Sequence, residues 1–366
     1  MYNRHVSIFD LFIGKRKMSN LASSEISSTL FSENFEHTLS AARGGNSDSF
    51  SQLTEPYRPE LRAHCYRMLG SIEDAEDLVQ ETFLRAWRRL ETYQGRASFR
   101  AWLYKIATNA SLDALEHLPR RTLPLESENS EGVMAAEKSA GNEPAWIEPF
   151  PDLWLAASST GPEARYEAYE SISLAFLVAL QILPPRQRTV LILADVMDWA
   201  VAEIADVLGI SVSATTSLLR RARVTMKERN QSGKLYLSKV GIQDNQTRQI
   251  LDQYARAWES ADLNGIISLL ADDAIFPMPP TVLRKQALIA LYTDVILAGD
   301  TGGRWKLVPI HANGQPGFAF YRLDDETHQH QAFALQVLTI KYGLVVSATT
   351  FGVPALFPYF GLPATL

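Results

Sequence analysis

The stretch from residue 118 to about 165 constrains this chain most, because it rules out one continuous core. It carries Pro119, Pro124, Pro144, Pro149, Pro151 and Pro162, and a proline inside a helix removes an amide donor and clashes with the preceding turn. From Thr122 to Glu170 ten acids stand against Lys138 and Arg165, a local charge of −8. Such a segment reads as a linker and not as core. The 366 residues, 46% of them apolar, must then bury their hydrophobic surface in separate bodies on either side.

On the N-terminal side, residues 1–32 are rich in serine and hold no sustained period, which predicts a disordered extension, or residues added by an upstream start, with Met18 as another candidate start. Residues 33–117 read as an all-α domain, with a helical pattern from Phe35 to about His117. Ser71 stands three residues before Asp74, a capping-box arrangement. Ala75, Leu78, Val79, Thr82, Ala86, Trp87 and Leu90 then recur at steps of three and four and make one apolar stripe. Glu73, Asp74, Glu76 and Asp77 crowd the start of this helix and Arg85, Arg88 and Arg89 its end, as the helix dipole favours.

Beyond the linker, residues 166–230 are helical again, with Pro184 and Pro185 marking a helix start. Val201–Leu208, a turn at Gly209, and Ser211–Lys227 form a helix–turn–helix pattern. Ser211 is placed to cap the second helix, and Val212, Thr215, Leu219, Ala222 and Met226 form its inward stripe. The other face offers Ser213, Ala214, Thr216, Ser217, Arg220 and Arg221, with Arg223 and Lys227 further on. Residues 211–229 hold five basic residues against Glu228. Small polar groups let the N-terminal end approach base edges, while arginines reach phosphates. From about residue 245 to 366 the texture is α+β. Two helical stretches, Thr247–Leu270 and Lys285–Ala298, precede alternating runs at Trp305–His311, Gly317–Leu323, Gln331–Lys341 and Leu344–Phe351, with turns at Asn313-Gly314 and Tyr342-Gly343. This order predicts helices packed on an antiparallel sheet.

Bulk properties narrow the function. The net charge of −6 confines any nucleic-acid contact to local patches. A single cysteine, Cys65, excludes an internal disulfide and fits a reducing compartment. No apolar run approaches the roughly 18 residues of a membrane span. Phe9–Ile13 precedes Lys15, Arg16 and Lys17, the reverse of a secretory signal. The expectation is a cytoplasmic protein with no membrane contact, no metal and no cofactor.

Two stretches are specific enough to resemble a family. "HCYRMLGSIEDAEDLVQETFLRAWRRLETYQGRASFRAWLYKIATNASLDALE", His64–Glu116, resembles region 2 of the sigma-70 family in its extracytoplasmic-function (ECF) group. "LPPRQRTVLILADVMDWAVAEIADVLGISVSATTSLLRRARVTMKER", Leu183–Arg229, resembles region 4. Together they span about 100 residues in the family's order. The C-terminal part, from "ILDQYARAWESADLNGIISLLADDAIFPMPP" to "ALQVLTIKYGLVVSATTFG", resembles a SnoaL-like (ketosteroid-isomerase-like, cystatin-like) cone in order and texture.

The resemblance implies a sigma factor that binds core RNA polymerase, through the beta-prime clamp and the beta flap, and promoter DNA in duplex and single-stranded form. Asp77, Gln80, Glu81 and Leu84 would dock on the clamp coiled coil. Tyr93–Phe99 would be the loop reading the −10 element, with Gln94, Gly95, Arg96, Ser98, Phe99 and Asn109 around a flipped base. Trp102, Tyr104 and Lys105 would supply aromatic faces and a phosphate contact. Ser213, Ala214, Thr216, Ser217, Arg220, Arg221 and Arg223 would meet the −35 element. Thr216 and Leu218 stand where many members carry Lys and then Arg, which puts less charge over the bases and predicts lower DNA affinity. Trp146, Glu148, Pro149, Pro151 and Asp152 are similar to a regulatory linker motif of extension-bearing members, whose acidic linker threads toward the basic polymerase cleft. Members of this type usually lack a membrane anti-sigma partner and are modulated by the C-terminal domain.

The cone would enclose an apolar pocket able to take a small-molecule ligand. Catalysis there would need an inward acid or base, for which Asp272, Asp273, Asp294, His311, His328 and His330 are the candidates, with Phe276, Met278, Trp305 and Tyr321 lining the pocket or forming core. The reading is a non-enzyme. The alternatives are a free-standing helix–turn–helix regulator, or a SnoaL-like cyclase or isomerase fused to a DNA-binding part.

Overall fold

A computed structural model describes residues 25–124, 145–156, 168–231, 245–293 and 302–366. The chain divides into two units: residues 1–119 with 179–232, and residues 120–178 with 233–366.

The first unit is all helical. Its helices are α1 Glu25–Arg43, α2 Ser47–Thr54, α3 Arg58–Leu69, α4 Ile72–Arg88 and α5 Phe99–Leu115. Helix α1 begins within the span that the sequence predicts to be disordered, so helix reaches at least eight residues further toward the N-terminus than its weak periodicity indicates. Starts and stops have local causes. Asn46 caps α2, and the Ser71 hydroxyl accepts from the Asp74 amide at 3.1 Å to start α4. Ser98 does the same for α5 with the Ala101 amide. The inner stripe of α4 is Ile72, Ala75, Val79, Thr82, Phe83 and Ala86. It packs on α3 and α5, where Leu61, Tyr66, Met68, Leu103 and Ala107 are also buried.

After the segment assigned to the second unit, α6 Leu174–Ile182 runs across the division between the units, and α7 Pro185–Leu191, α8 Val201–Leu208 and α9 Val212–Gln231 follow. Between α7 and α8 the chain makes a π turn, Ile192–Val196. Gly209 ends α8 at φ 63°, a left-handed position that glycine takes without strain. The predicted inward stripe of α9 holds at Thr215, Leu219, Ala222 and Met226, but Val212 is 52% exposed. As first residue of the helix it stands beyond the contact with α7 and α8 that buries the others.

The second unit joins helices α10 Asn245–Glu259, α11 Leu263–Ser268 and α12 Lys285–Leu291 to strands β1 Leu270–Met278, β2 Thr281–Arg284, β3 Trp305–Ala312, β4 Gln315–Leu323, β5 His330–Lys341 and β6 Leu344–Phe351. The sheet order is β2-β1-β6-β5-β4-β3. All pairings are antiparallel except β1 with β6, where Leu270 lies opposite Val345. The sheet is thus mixed, which corrects the antiparallel expectation. The predicted helix Thr247–Leu270 is also two helices, broken at Ala261 and restarted by Asp262, whose carboxylate accepts from the Gly265 amide at 2.9 Å. Ile250, Tyr254, Ala257 and Trp258 form the buried face of α10, which packs on β3, while α12 packs on β1. Gly317 on β4 is a required glycine: a Cβ there would meet the Gln336 carbonyl oxygen at 2.1 Å.

Candidate polymerase and promoter surfaces

In region 2, α4 presents its buried stripe inward and leaves Asp77, Gln80 and Leu84 exposed along the opposite line. Among the described residues, Asp77 and Gln80 have no hydrogen-bond or ion-pair partner. Leu84, 52% exposed, places an apolar patch beside them. Glu81 differs from its neighbours. Its carboxylate accepts from Arg85 at 2.7 Å, and Arg85 also reaches Asp113 at 3.2 Å. That i,i+4 pair holds the Glu81 carboxylate along the helix.

The loop after α4 is built on aromatic packing. Phe99 sits amid Phe35, Tyr57, Tyr93 and Trp102, with ring centroids 5.3 to 6.0 Å apart. Tyr93 packs on Trp102 as well, and its hydroxyl donates to the Ala97 carbonyl at 3.1 Å, closing the loop on itself. Arg43 donates to the Tyr93 carbonyl. Gly95 turns the tip at φ 68°. Gln94, Gly95, Arg96 and Ser98 are exposed on this base, and Asn109 is exposed on α5. Phe99 is 4% exposed. The implied base contact at Phe99 is therefore replaced by a packing role, since the ring is spent on the cluster that holds the loop. Trp102 is half-buried.

Tyr104 and Lys105 face elsewhere. Tyr104 is fully buried, with Arg100 5.0 Å over one side of its ring and Trp199 at 5.3 Å. Burial holds its hydroxyl well above the usual tyrosine range, so it stays protonated. It is no platform for an unstacked base in this conformation. Lys105 donates to the Asp206 carbonyl of α8 at 3.0 Å. A second anchor lies at Arg188 of α7, 2% exposed, which donates to the Met68 carbonyl of α3 and to the carbonyls of Gln181 and Leu183 at 3.2 Å each. Regions 2 and 4 are thereby packed on each other within the first unit.

The recognition helix α9 exposes Ser213, Ala214, Thr216, Ser217, Arg220 and Arg221. Ser211 caps it, accepting from the Ala214 amide at 3.2 Å. Arg223 leaves this row. It forks onto Asp195 of the π turn at 2.6 and 3.1 Å, which commits its Nε and Nη2 donors to that pair.

The motif at 146–152 is not a free tether. Thr122 bridges Trp146, Arg121 pairs with Glu148 at 3.3 Å, and Ile147 and Phe150 are fully buried. Pro151 bridges Ala312 at the end of β3. Asn313, fully buried at φ 56°, donates its backbone amide to the Phe150 carbonyl at 2.9 Å. Its side chain accepts from the Phe150 amide at 2.9 Å and donates to the Ile172 carbonyl at 2.6 Å. Asp152 donates its amide to the His311 carbonyl, and its carboxylate accepts from the Gly314 amide at 2.8 Å. Burial pushes that carboxyl up to about 7. Asp152 and Glu170, counted among the acids of a solvated linker, are therefore buried. The acids between 125 and 144 lie outside the described residues.

The second unit also holds a cleft. Among its lining residues are Met278 and Trp305, as expected, whereas Phe276 is in the core and Tyr321 packs on Phe357 at 5.2 Å, away from the cleft. Asp272 is exposed and pairs with Lys285, Asp273 is exposed, His311 points out from β3, and His328 and His330 lie in and beside an exposed turn. Asp294 lies outside the described residues. None of the described acid or base candidates lines the cleft. Among the described residues no cluster of metal-ligating side chains occurs and no single helix is long and apolar enough to cross a membrane.

These two helical regions, one with an exposed loop on an aromatic base and one with a capped recognition helix, define a promoter-recognition protein of sigma-70 type. Residues 53–121 match sigma-70 region 2 and residues 173–226 match sigma-70 region 4. The ECF RNA polymerase sigma factor SigG of Mycobacterium tuberculosis is 41% identical over 320 residues, covering 87% of this chain and 85% of SigG. SigJ of the same organism is 31% identical over 224 residues, 61% of this chain and 62% of SigJ. The crystal structure of SigJ shares the fold with a TM-score of 0.53 at 23% identity, over 87% of this chain and all of that one. The chain belongs to the ECF RNA polymerase sigma factors and directs promoter-specific transcription initiation.

Sequence reasoning missed Arg188, Trp199 and Asn313 as structural keys. Arg188 looks like an exposed base in "PPRQR", and only the carbonyls gathered around it reveal its use. Asn313 is legible as a turn residue, but its burial depends on a strand partner more than 160 positions away in sequence.

Proposed function

We propose that Asp77, Gln80 and Leu84, with Glu81 steered by Arg85, are the surface on which this sigma factor engages core RNA polymerase in the cytoplasm. The observation that carries this reading is that Asp77 and Gln80 stand exposed and unpartnered beside the apolar Leu84, one helix before the −10 loop. An acidic and amide row flanking one leucine suits an arginine-rich helix of the clamp. Gln94, Arg96, Ser98 and Asn109 then meet the opened −10 strand, with Trp102 as the aromatic face and Phe99 as the base of the loop. Ser213, Ala214, Thr216, Ser217, Arg220 and Arg221 meet the −35 duplex. The contacts of Tyr104 with Trp199 and of Lys105 with Asp206 are released when region 4 moves out to its own element, and Lys105 then becomes a phosphate contact. The C-terminal unit modulates initiation by holding residues 146–152. The test is binding of labelled sigma to core polymerase by fluorescence anisotropy. Asp77→Lys and Leu84→Ala are each expected to weaken it by about tenfold or more, with the α9–duplex contact unchanged. Wild-type affinity in both variants would overturn the assignment.

A further inference from the structure

Helix α1 ends before residue 53, where the match to sigma-70 region 2 begins, yet its side chains reach both ends of the 94–98 loop. Phe35, Leu39 and Ala42 repeat on it at steps of four and three, and Leu39 and Ala42 are buried. Phe35 meets the Phe99 ring edge-on at 5.6 Å. Arg43, in the last turn, sends its Nη2 donor to the Tyr93 carbonyl. The Tyr93 hydroxyl is held above the usual tyrosine range, by burial first and then by the charge of Glu36, a third α1 side chain. Helix α2, next in the chain, is seated on α4 by Phe50, which packs edge-on against Trp87 at 4.9 Å.

These contacts bear on the shape of the loop. Gln94, Arg96 and Ser98 are exposed, so packing does not fix their side chains, and the backbone that carries them is fixed from Tyr93 and Phe99. The direction of the Tyr93 carbonyl sets ψ of that residue, 111°, and with it the peptide plane that leads into Gln94. A guanidinium on that oxygen holds the plane from outside the loop, through a charge-assisted hydrogen bond. At the other end Phe99 starts α5, and Phe35 adds α1 to the rings around it. An opened strand is flexible, and a loop already in its binding shape loses less freedom when it captures one.

We propose that Arg43 and Phe35 of α1 are positioning residues for promoter opening, which hold the 94–98 loop in the shape that captures the −10 strand and so set how strictly that element is read. The proposal rests on the assignment of this loop to the −10 element given above. Neither side chain has to touch DNA, since Arg43 acts through the Tyr93 carbonyl and Phe35 through the Phe99 ring.

The test uses the full chain with core polymerase and a genomic promoter fragment on which the wild-type holoenzyme initiates. Fluorescence anisotropy measures the affinity of sigma for core, the affinity of the holoenzyme for the −10 single strand, and the penalty when each −10 base is replaced by an abasic site. Arg43→Ala is expected to leave core affinity unchanged and to weaken strand binding by about tenfold, with the largest abasic penalty falling by about fivefold or more. Arg43→Lys, which keeps a charged donor for the carbonyl, is expected to restore both to within about twofold. Phe35→Leu is expected to weaken strand binding by about threefold, and it serves should Arg43→Ala not fold. Gln94→Ala and Arg96→Ala, within the loop, separate the two assignments. Weaker strand binding in those two variants with wild-type binding in Arg43→Ala would overturn the proposal and leave the loop assignment standing. Wild-type strand binding in the loop variants would overturn both. Weaker strand binding in Arg43→Ala with every abasic penalty unchanged would put Arg43 on a phosphate and overturn its positioning role.

Discussion

Replacing Asp152 by asparagine isolates the one carboxyl that the fold buries at the junction between the 146–152 segment and β3. Desolvation lifts its pKa from 3.8 to about 7, against the opposing hydrogen bond from the Gly314 amide. The folded chain therefore keeps a proton that the unfolded chain has released. The stability from this group is fully present below about pH 4, declines as pH rises toward 7, and is flat above that. At about 1.4 kcal/mol for each tenfold step, the whole loss is about 4 kcal/mol, of which about 1.4 kcal/mol falls between pH 6 and pH 8. Asparagine keeps an oxygen for the Gly314 amide and has nothing to ionise. Urea unfolding followed by the fluorescence of Trp154, which packs on Phe150 at 5.6 Å, reports on this junction. The stability difference, variant minus wild type, is expected to move in favour of the variant by about 1.4 kcal/mol from pH 6 to pH 8. If both proteins lose the same stability across that range, the carboxyl is already ionised in the folded state and the reasoning fails.

Arg188→Ala is expected to destabilise the first unit by about 3 kcal/mol, because three buried carbonyls lose their donor at once; thermal unfolding measures it. Trp199→Ala removes the ring that covers Tyr104, and should raise affinity for a single-stranded −10 oligonucleotide, with core polymerase present, by about two- to tenfold. Unchanged affinity would mean that region 4 does not occlude region 2 in solution. Arg220→Ala and Arg221→Ala should each lower the salt dependence of duplex binding by about one ion, whereas Arg223→Ala should leave that slope unchanged and lower stability instead, since its fork is committed to Asp195.

What was legible in the sequence follows the reach of each interaction. Periodicity marks α4 and α10 because their buried faces repeat every three or four residues, and Ser71 and Ser211 mark starts because a cap acts over three residues. The four alternating runs from Trp305 to Phe351 are strands for the same local reason. Strand β1 escapes, since "LADDAIFPM" carries two adjacent acids where alternation would put an inward side chain, and it is held by parallel pairing with β6 at the far end of the domain. The exposed rows on α4 and α9 could be read because the residues opposite them are apolar. The occupancy of Tyr104, Lys105 and Arg223 could not be read, because their partners at Trp199, Asp206 and Asp195 come from elements that only tertiary packing brings near. Phe99 was misassigned for a related reason: an aromatic residue beside a recognition loop looks the same in sequence whether it stacks on a base or on Tyr93.

Residues 146–152 are where composition misled most. A free chain of the roughly 50 residues between the two regions would allow a root-mean-square reach of about 40 Å, with no preferred separation. Here the chain enters the second unit at Arg121 and Thr122, is pinned again at Phe150, Pro151 and Asp152, and gives the Ile172 carbonyl to Asn313 before it leaves. Every pin lies within the second unit. Proline-rich composition is compatible with that outcome, because Pro149 and Pro151 have no amide to leave unpaired when Phe150 and Asp152 dock along the end of a strand. An acidic, proline-rich sequence between two domains is thus a statement about which backbone groups need partners, and a neighbouring sheet that supplies them turns a spacer into part of a fold.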